Sequence, residues 1–167
     1  MGPLQGFLTT WSQARQTFGQ GVPTGGSHLD GSATLQKLQA DVESAGPGRH
    51  WQGGAATAYA AANAAHAQVF GKLAELDARL AAEIDKSARV ITCGRAELDD
   101  VRDWVVHAAS ALPSNQAEGQ IMAIVSKGLG QLRAVLSKSH GELNTIGAQI
   151  EQIGAEYVRL GMQKFPP

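Results

Sequence analysis

The sequence predicts an all-α protein, an elongated helical bundle combining a Trp-x-Gly helix-turn-helix with a long antiparallel, coiled-coil-like helix pair. Three observations predict it. Six prolines, at positions 3, 23, 47, 113, 166 and 167, stand where a helix would have to stop, because proline lacks the amide donor and clashes with the preceding turn. Between them the chain consists largely of Ala, Leu, Gln, Glu, Lys and Arg, which favour helix, while β-branched and aromatic residues are sparse. Apolar residues recur at helical and heptad spacings.

Taken in order, Leu4, Phe7, Leu8, Trp11 and Phe18 fall at helical spacing and predict a first helix over about 4–18. Gly19 to Gly31 holds five glycines and Pro23, which is loop composition. The stripe Leu35, Leu38 and Val42 predicts a second helix over about 32–45, stopped by Ala45-Gly46-Pro47-Gly48. No proline follows until Pro113, so a third helix is expected over about 54–112, roughly 85 Å long at about 1.5 Å per residue. Its early part, Ala55 to Ala67, is dense in alanine and invites close packing against the first two helices.

Farther along that helix Ile84, Ile91, Leu98, Val105 and Leu112 recur every seven residues, with a weaker companion series Leu73, Leu80, Ser87, Gly94, Val101 and Ala108. Pro113-Ser114-Asn115 breaks it. Asn115-Gln116-Ala117-Glu118 then has the form of a capping box opening a fourth helix over about 116–163. That helix carries Leu129, Leu136, Leu143, Ile150 and Tyr157 seven apart, interleaved with Val125, Leu132, Ser139, Ile146, Ile153 and Leu160. The expected helix-pair seam is Ile84, Ile91, Leu98 and Val105 against Leu129, Leu136, Leu143 and Ile150. Two seamed helices joined by a short connection fold back antiparallel. Glycines at 119, 128, 130, 141, 147, 154 and 161 predict bends in the last helix, or a face closely approached by another helix. Residues 1–167 read as a single helical domain, with 164–167 as the start of a Pro-rich tail.

Composition bounds the function. The 43% hydrophobic content suffices for a core, and 14 basic against 15 acidic residues, spread without a basic run, disfavour nucleic acid. No stretch is long and apolar enough for a membrane span, and the N-terminus lacks the order of a secretory signal peptide. Cys93 is alone, which rules out an internal disulfide and leaves a small buried residue or an intermolecular bridge. The five histidines are scattered, no nucleophile elbow or phosphate loop occurs, and the carboxylates follow helix-surface spacing. No enzyme, cofactor or metal site is expected.

The specific motif is Trp51-Gln52-Gly53, placed at a turn between two amphipathic helices. There Trp51 can cover the end of the hairpin, while Gly53 permits a close approach or a positive φ. Around it, Trp11, Gly21-Val22-Pro23, Gly31-Ser32, Leu35, Leu38, the run Pro47-Gly48-Arg49-His50-Trp51-Gln52-Gly53-Gly54-Ala55-Ala56, Tyr59, and Leu73 to Leu80 resemble the Trp-x-Gly superfamily of type VII (ESX) secretion substrates. The closer resemblance is to the mycobacterial EspA/EspE group, over roughly residues 5–105. The polar last helix departs from that group's apolar, glycine-rich stretch, so membrane association is not carried over. A second departure concerns the Tyr-x-x-x-Asp/Glu signal usual in such substrates: Tyr59 is followed by Asn63 and Tyr157 by Gly161. A partner supplies the signal, or it lies beyond Pro167, or the protein is not itself exported.

The resemblance implies a secretion-associated helical protein, exported or co-secreted, found outside the cell or at its surface after a cytoplasmic stage. Its expected partners are a helical protein or a second copy, and secretion machinery or a chaperone. The competing readings are the N-terminal targeting module of a polymorphic toxin and a purely structural coiled-coil protein.

Overall fold

The computed structural model describes residues 2–115 and 117–163. Among them are four helices and no strand: α1 (Pro3–Thr17), α2 (Ser32–Ser44), α3 (Gly54–Ser110) and α4 (Ala117–Gly161), with a 3-10 turn at Ser27–Leu29 inside the predicted loop. Pro3 opens α1, where its missing amide would be unpaired anyway. The third helix ends at Ser110, slightly short of the expected limit, because the residue before Pro113 is pushed out of helical backbone. Gln116 of the expected capping box and the tail 164–167 lie outside the described residues. No helix among the described residues is long and apolar enough to cross a membrane.

The chain forms two compact units, the first from Met1–Thr24 and Lys86–Thr145, the second from Gly25–Asp85 and Ile146–Pro167. In the first, Phe7, Ala14 and Phe18 of the N-terminal segment close over Leu98 and Val105 of α3 and Val125, Leu132 and Val135 of α4. Here α3 and α4 run antiparallel: Lys138 Nζ meets Glu97 Oε1 at 2.9 Å, while Gly128 lies against Val105. Trp11 is half-buried and its indole N–H donates to the Leu98 carbonyl at 2.8 Å, satisfying a polar atom the core would otherwise strand. Arg95 reaches from α3 to the Phe18 carbonyl at 2.7 Å and to the Gly21 carbonyl, holding the chain as it leaves α1.

In the second unit α2 lies antiparallel to the first part of α3. The Gly26 amide donates to Asp85 Oδ1 at 2.6 Å, and a β-carbon on Gly26 would stand 2.2 Å from the Ala81 carbonyl oxygen. Ala56, Ala67, Ala74 and Ala81 of α3 are buried, their short side chains sharing a face with Asn63. Also on α3, Asp77 accepts from the Tyr157 hydroxyl of α4, and Arg79 meets Glu156 at 2.6 Å.

The α4 seam differs from expectation. The buried heptad series is Val125, Leu132, Ser139, Ile146 and Ile153, whereas Leu136, Leu143 and Ile150 are only half-buried and Leu129 is 39% exposed. Both series have the same period, so spacing could not choose between them. Contact geometry chooses: at Gly128 the missing side chain admits Phe7 and Val105, which turns position 129 outward. On α3, Leu98 and Val105 are fully buried, with Ile84 and Ile91 half-buried.

Candidate functional site

The turn between α2 and α3 collects the residues that single themselves out. Helix α2 leaves its last carbonyls without intrahelical partners, a cost every helix end must meet. Two side chains of α3 meet it here: Tyr59 donates its hydroxyl to the Ala45 carbonyl at 3.2 Å, and the Asn63 amide donates to the Val42 carbonyl. The Tyr59 ring then supports Trp51, with centroids 5.2 Å apart and planes tilted by 45°. That separation falls within the range where aromatic pairs attract. Gly53 follows with φ +109, a backbone region that side chains with a β-carbon rarely adopt, and its carbonyl accepts the Thr57 amide as α3 begins.

Trp51 does not seal the hairpin end as its position suggested. It remains 48% exposed, and Tyr59 43%. The result is an aromatic pair held in a set orientation yet open to solvent. Gly53 is required for its φ and not for close approach, since nothing lies within 4 Å of its missing β-carbon.

Tyr59 and Asn63 occupy the first and last positions of the Tyr-x-x-x-Asp/Glu spacing noted in the sequence. In the folded chain both are engaged in holding the end of α2. A clue to Asn63 was available: it is the lone amide in the alanine run from Ala60 to Ala65. The clasp itself was not readable, since it depends on where α2 stops.

Cys93 lies in the other unit and is exposed, correcting the expectation of a small buried residue; its position on α3 turns it away from the Leu98 and Val105 face. Trp104 is also more open than a seam residue, at 37%, with Lys127 Nζ 5.0 Å above its ring. Among the described residues no three His, Cys, Asp or Glu side chains gather closely enough to hold a metal ion.

The EspA/EspE family model matches residues 18–100, about half of the chain and the part containing this turn. The chain is EspA/EspE-like, a type VII secretion-related protein. No curated protein and no solved structure matches it. The family match ends within α3, before α4, the helix whose polar heptads had already departed from the EspA/EspE pattern.

Proposed function

We propose that the protein is a non-enzymatic type VII secretion substrate or co-secreted factor that acts by binding another helical protein, with Trp51 and its turn as the recognition element. The observation that carries this reading is the aromatic pair. Tyr59 is held by its hydroxyl hydrogen bond, Trp51 packs against its ring just before a positive-φ glycine, and both rings remain about half exposed. A merely structural tryptophan would gain more from burial, at about 25 cal/mol per Å² of apolar area. The single-turn geometry, with neither Asp nor Glu four residues beyond Tyr59, fits a chain that leaves the cell together with a partner bearing that signal.

The test is export from the native host. Trp51→Ala should remove the protein from the culture filtrate or cell surface by at least tenfold, while far-UV circular dichroism of the purified chain stays unchanged. Undiminished export of this variant would remove the turn from the recognition event.

A further inference from the structure

We propose that the first unit holds a binding pocket for a small neutral phenol, in which the Ser139 hydroxyl recognises the hydroxyl of the ligand. No residue of the Trp51 turn takes part, so the pocket is independent of the secretion reading.

The buried series of α4 runs Val125, Leu132, Ser139, Ile146 and Ile153, so one position of an otherwise aliphatic seam carries a short polar side chain. Opposite it on α3 stands Gly94, also buried, where a β-carbon would lie 3.0 Å from Ser139 Oγ. Two facing helices thus lack bulk at the same level, and in a close-packed interior the space goes to a neighbour or stays a hollow. The edge of the Phe18 ring takes the part beside Gly94. A pocket of about 200 Å³ remains, walled by Phe18, Ile91, Leu136 and Leu143, all within the first unit.

Ser139 is 6% exposed, yet its hydroxyl has no hydrogen-bond partner among the described residues. Every side-chain nitrogen or oxygen sealed inside the described structure has one, so this oxygen is reached from the pocket it lines. Buried hydroxyls are as a rule paired, and an exception calls for a cause. The other hydroxyl bordering the pocket, that of Thr17, is committed to the Ala14 carbonyl at 2.6 Å. Ser139 can both donate and accept, so it suits a visitor that does the same.

Size and charge select that visitor. A cavity of about 150 Å³ lined by Leu, Ile and Phe accommodates benzene. This pocket, at about 200 Å³, has room for one ring with a small substituent. No Lys, Arg, Asp or Glu lines it, which disfavours an ion, because a charge taken out of water needs a partner. A ring gains an aromatic contact with Phe18 that an alkyl chain does not. One ring with one hydroxyl therefore matches both the apolar walls and the lone polar group.

The test titrates the full purified chain with p-cresol and with toluene, following the methyl resonances of Ile91, Leu136 and Leu143, with Ile153 of the second unit as reference. The expected result is a saturable shift of the three residues and binding of p-cresol about threefold tighter than toluene or more, as one net hydrogen bond provides. Toluene is the less well hydrated compound, so a pocket without a polar partner prefers it. The preference should therefore invert in Ser139→Ala with helical content unchanged, and Ser139→Leu, which fills the pocket, should abolish both shifts. Tighter binding of toluene to the unaltered chain, a preference for p-cresol that survives in Ser139→Ala, or equal shifts at Ile153 each overturn the proposal. So does the absence of any shift at millimolar p-cresol, in which case the Ser139 hydroxyl serves solvent alone.

Discussion

Glycines divide at the level of single residues into those a fold requires and those it merely tolerates, and the division predicts opposite mutational effects. A β-carbon at Gly94 would stand 2.3 Å from the Phe18 ring, and at Gly128 it would stand 2.4 Å from Val105 Cγ2. Gly94→Ala and Gly128→Ala should therefore each destabilise the first unit by about 1–3 kcal/mol through overpacking. Gly147 and Gly154 have nothing within 4 Å of that position, so alanine there should stabilise by about 0.5–1 kcal/mol through helix propensity. Urea midpoints for the four variants check this, and stabilisation by Gly94→Ala or Gly128→Ala would contradict the packing described. The sequence made it legible that the α4 glycines are anomalous, because glycine is costly within a helix. It could not tell Gly128 from Gly130, since only the approach of Phe7 and Val105 separates them. Gly53 was legible for the opposite reason: between helices, a glycine after tryptophan invites a positive φ, and φ +109 is what the turn adopts. Gly53→Ala should strain that turn by about 1–3 kcal/mol.

Between elements, a few polar contacts set how helices begin, end and pair, and their protons give them a pH signature. The Asp30 carboxylate accepts the Ser32 amide at 2.9 Å just before α2, and hydrogen bonding from Ser32 holds its pKa below the ordinary carboxylate value. A lowered folded value means that the contribution is present above the unfolded pKa and is lost as pH falls through the folded one. Tyr157 behaves in the opposite sense. Burial, followed by its hydrogen bond to Asp77, pushes its hydroxyl above the usual tyrosine range. Its contribution is complete below the unfolded value near about 10 and is lost as pH rises toward the folded one. Tyr157→Phe should therefore weaken α3–α4 pairing in the second unit at neutral pH yet flatten its alkaline destabilisation. Ellipticity followed from pH 8 to 12 tests this, and an alkaline transition unchanged in the variant would exclude Tyr157 as its source. Helix positions were readable in advance because proline and glycine mark them chemically; the α4 seam was less so, since two heptad series competed with equal spacing. Only contact with Leu98, Val105 and Phe7 selected Val125 and Leu132 over Leu129.

Across the molecule, apolar burial is distributed unequally, and local stability should follow it. The first unit contains the cluster of Phe7, Phe18, Leu98, Val105, Val125, Leu132 and Val135, whereas α2 has no buried residue at all and leaves Leu38 40% exposed. Its attachment relies on half-covered Leu35 and Val42, the Tyr59 and Asn63 clasp, and the anchoring of the preceding loop by Gly26 and Asp85. Local opening free energy follows such differences, being small where buried apolar contacts are few. Amide exchange of the isolated chain should accordingly find α2 the least protected of the four helices, with α1 and the middle of α3 far slower. Asn63→Leu, which removes one clasp bond worth about 0.5–1.5 kcal/mol, should accelerate exchange through α2 without affecting α1. A partner that binds only the closed hairpin stabilises it by mass action, by about 2.7 kcal/mol at a hundredfold excess over its dissociation constant. Protection of α2 should therefore rise on co-expression with that partner, while protection in α1 changes little. If α2 in the free chain already exchanges as slowly as α1, the hairpin needs no partner to hold it closed, and its exposed aromatic turn must be explained in some other way.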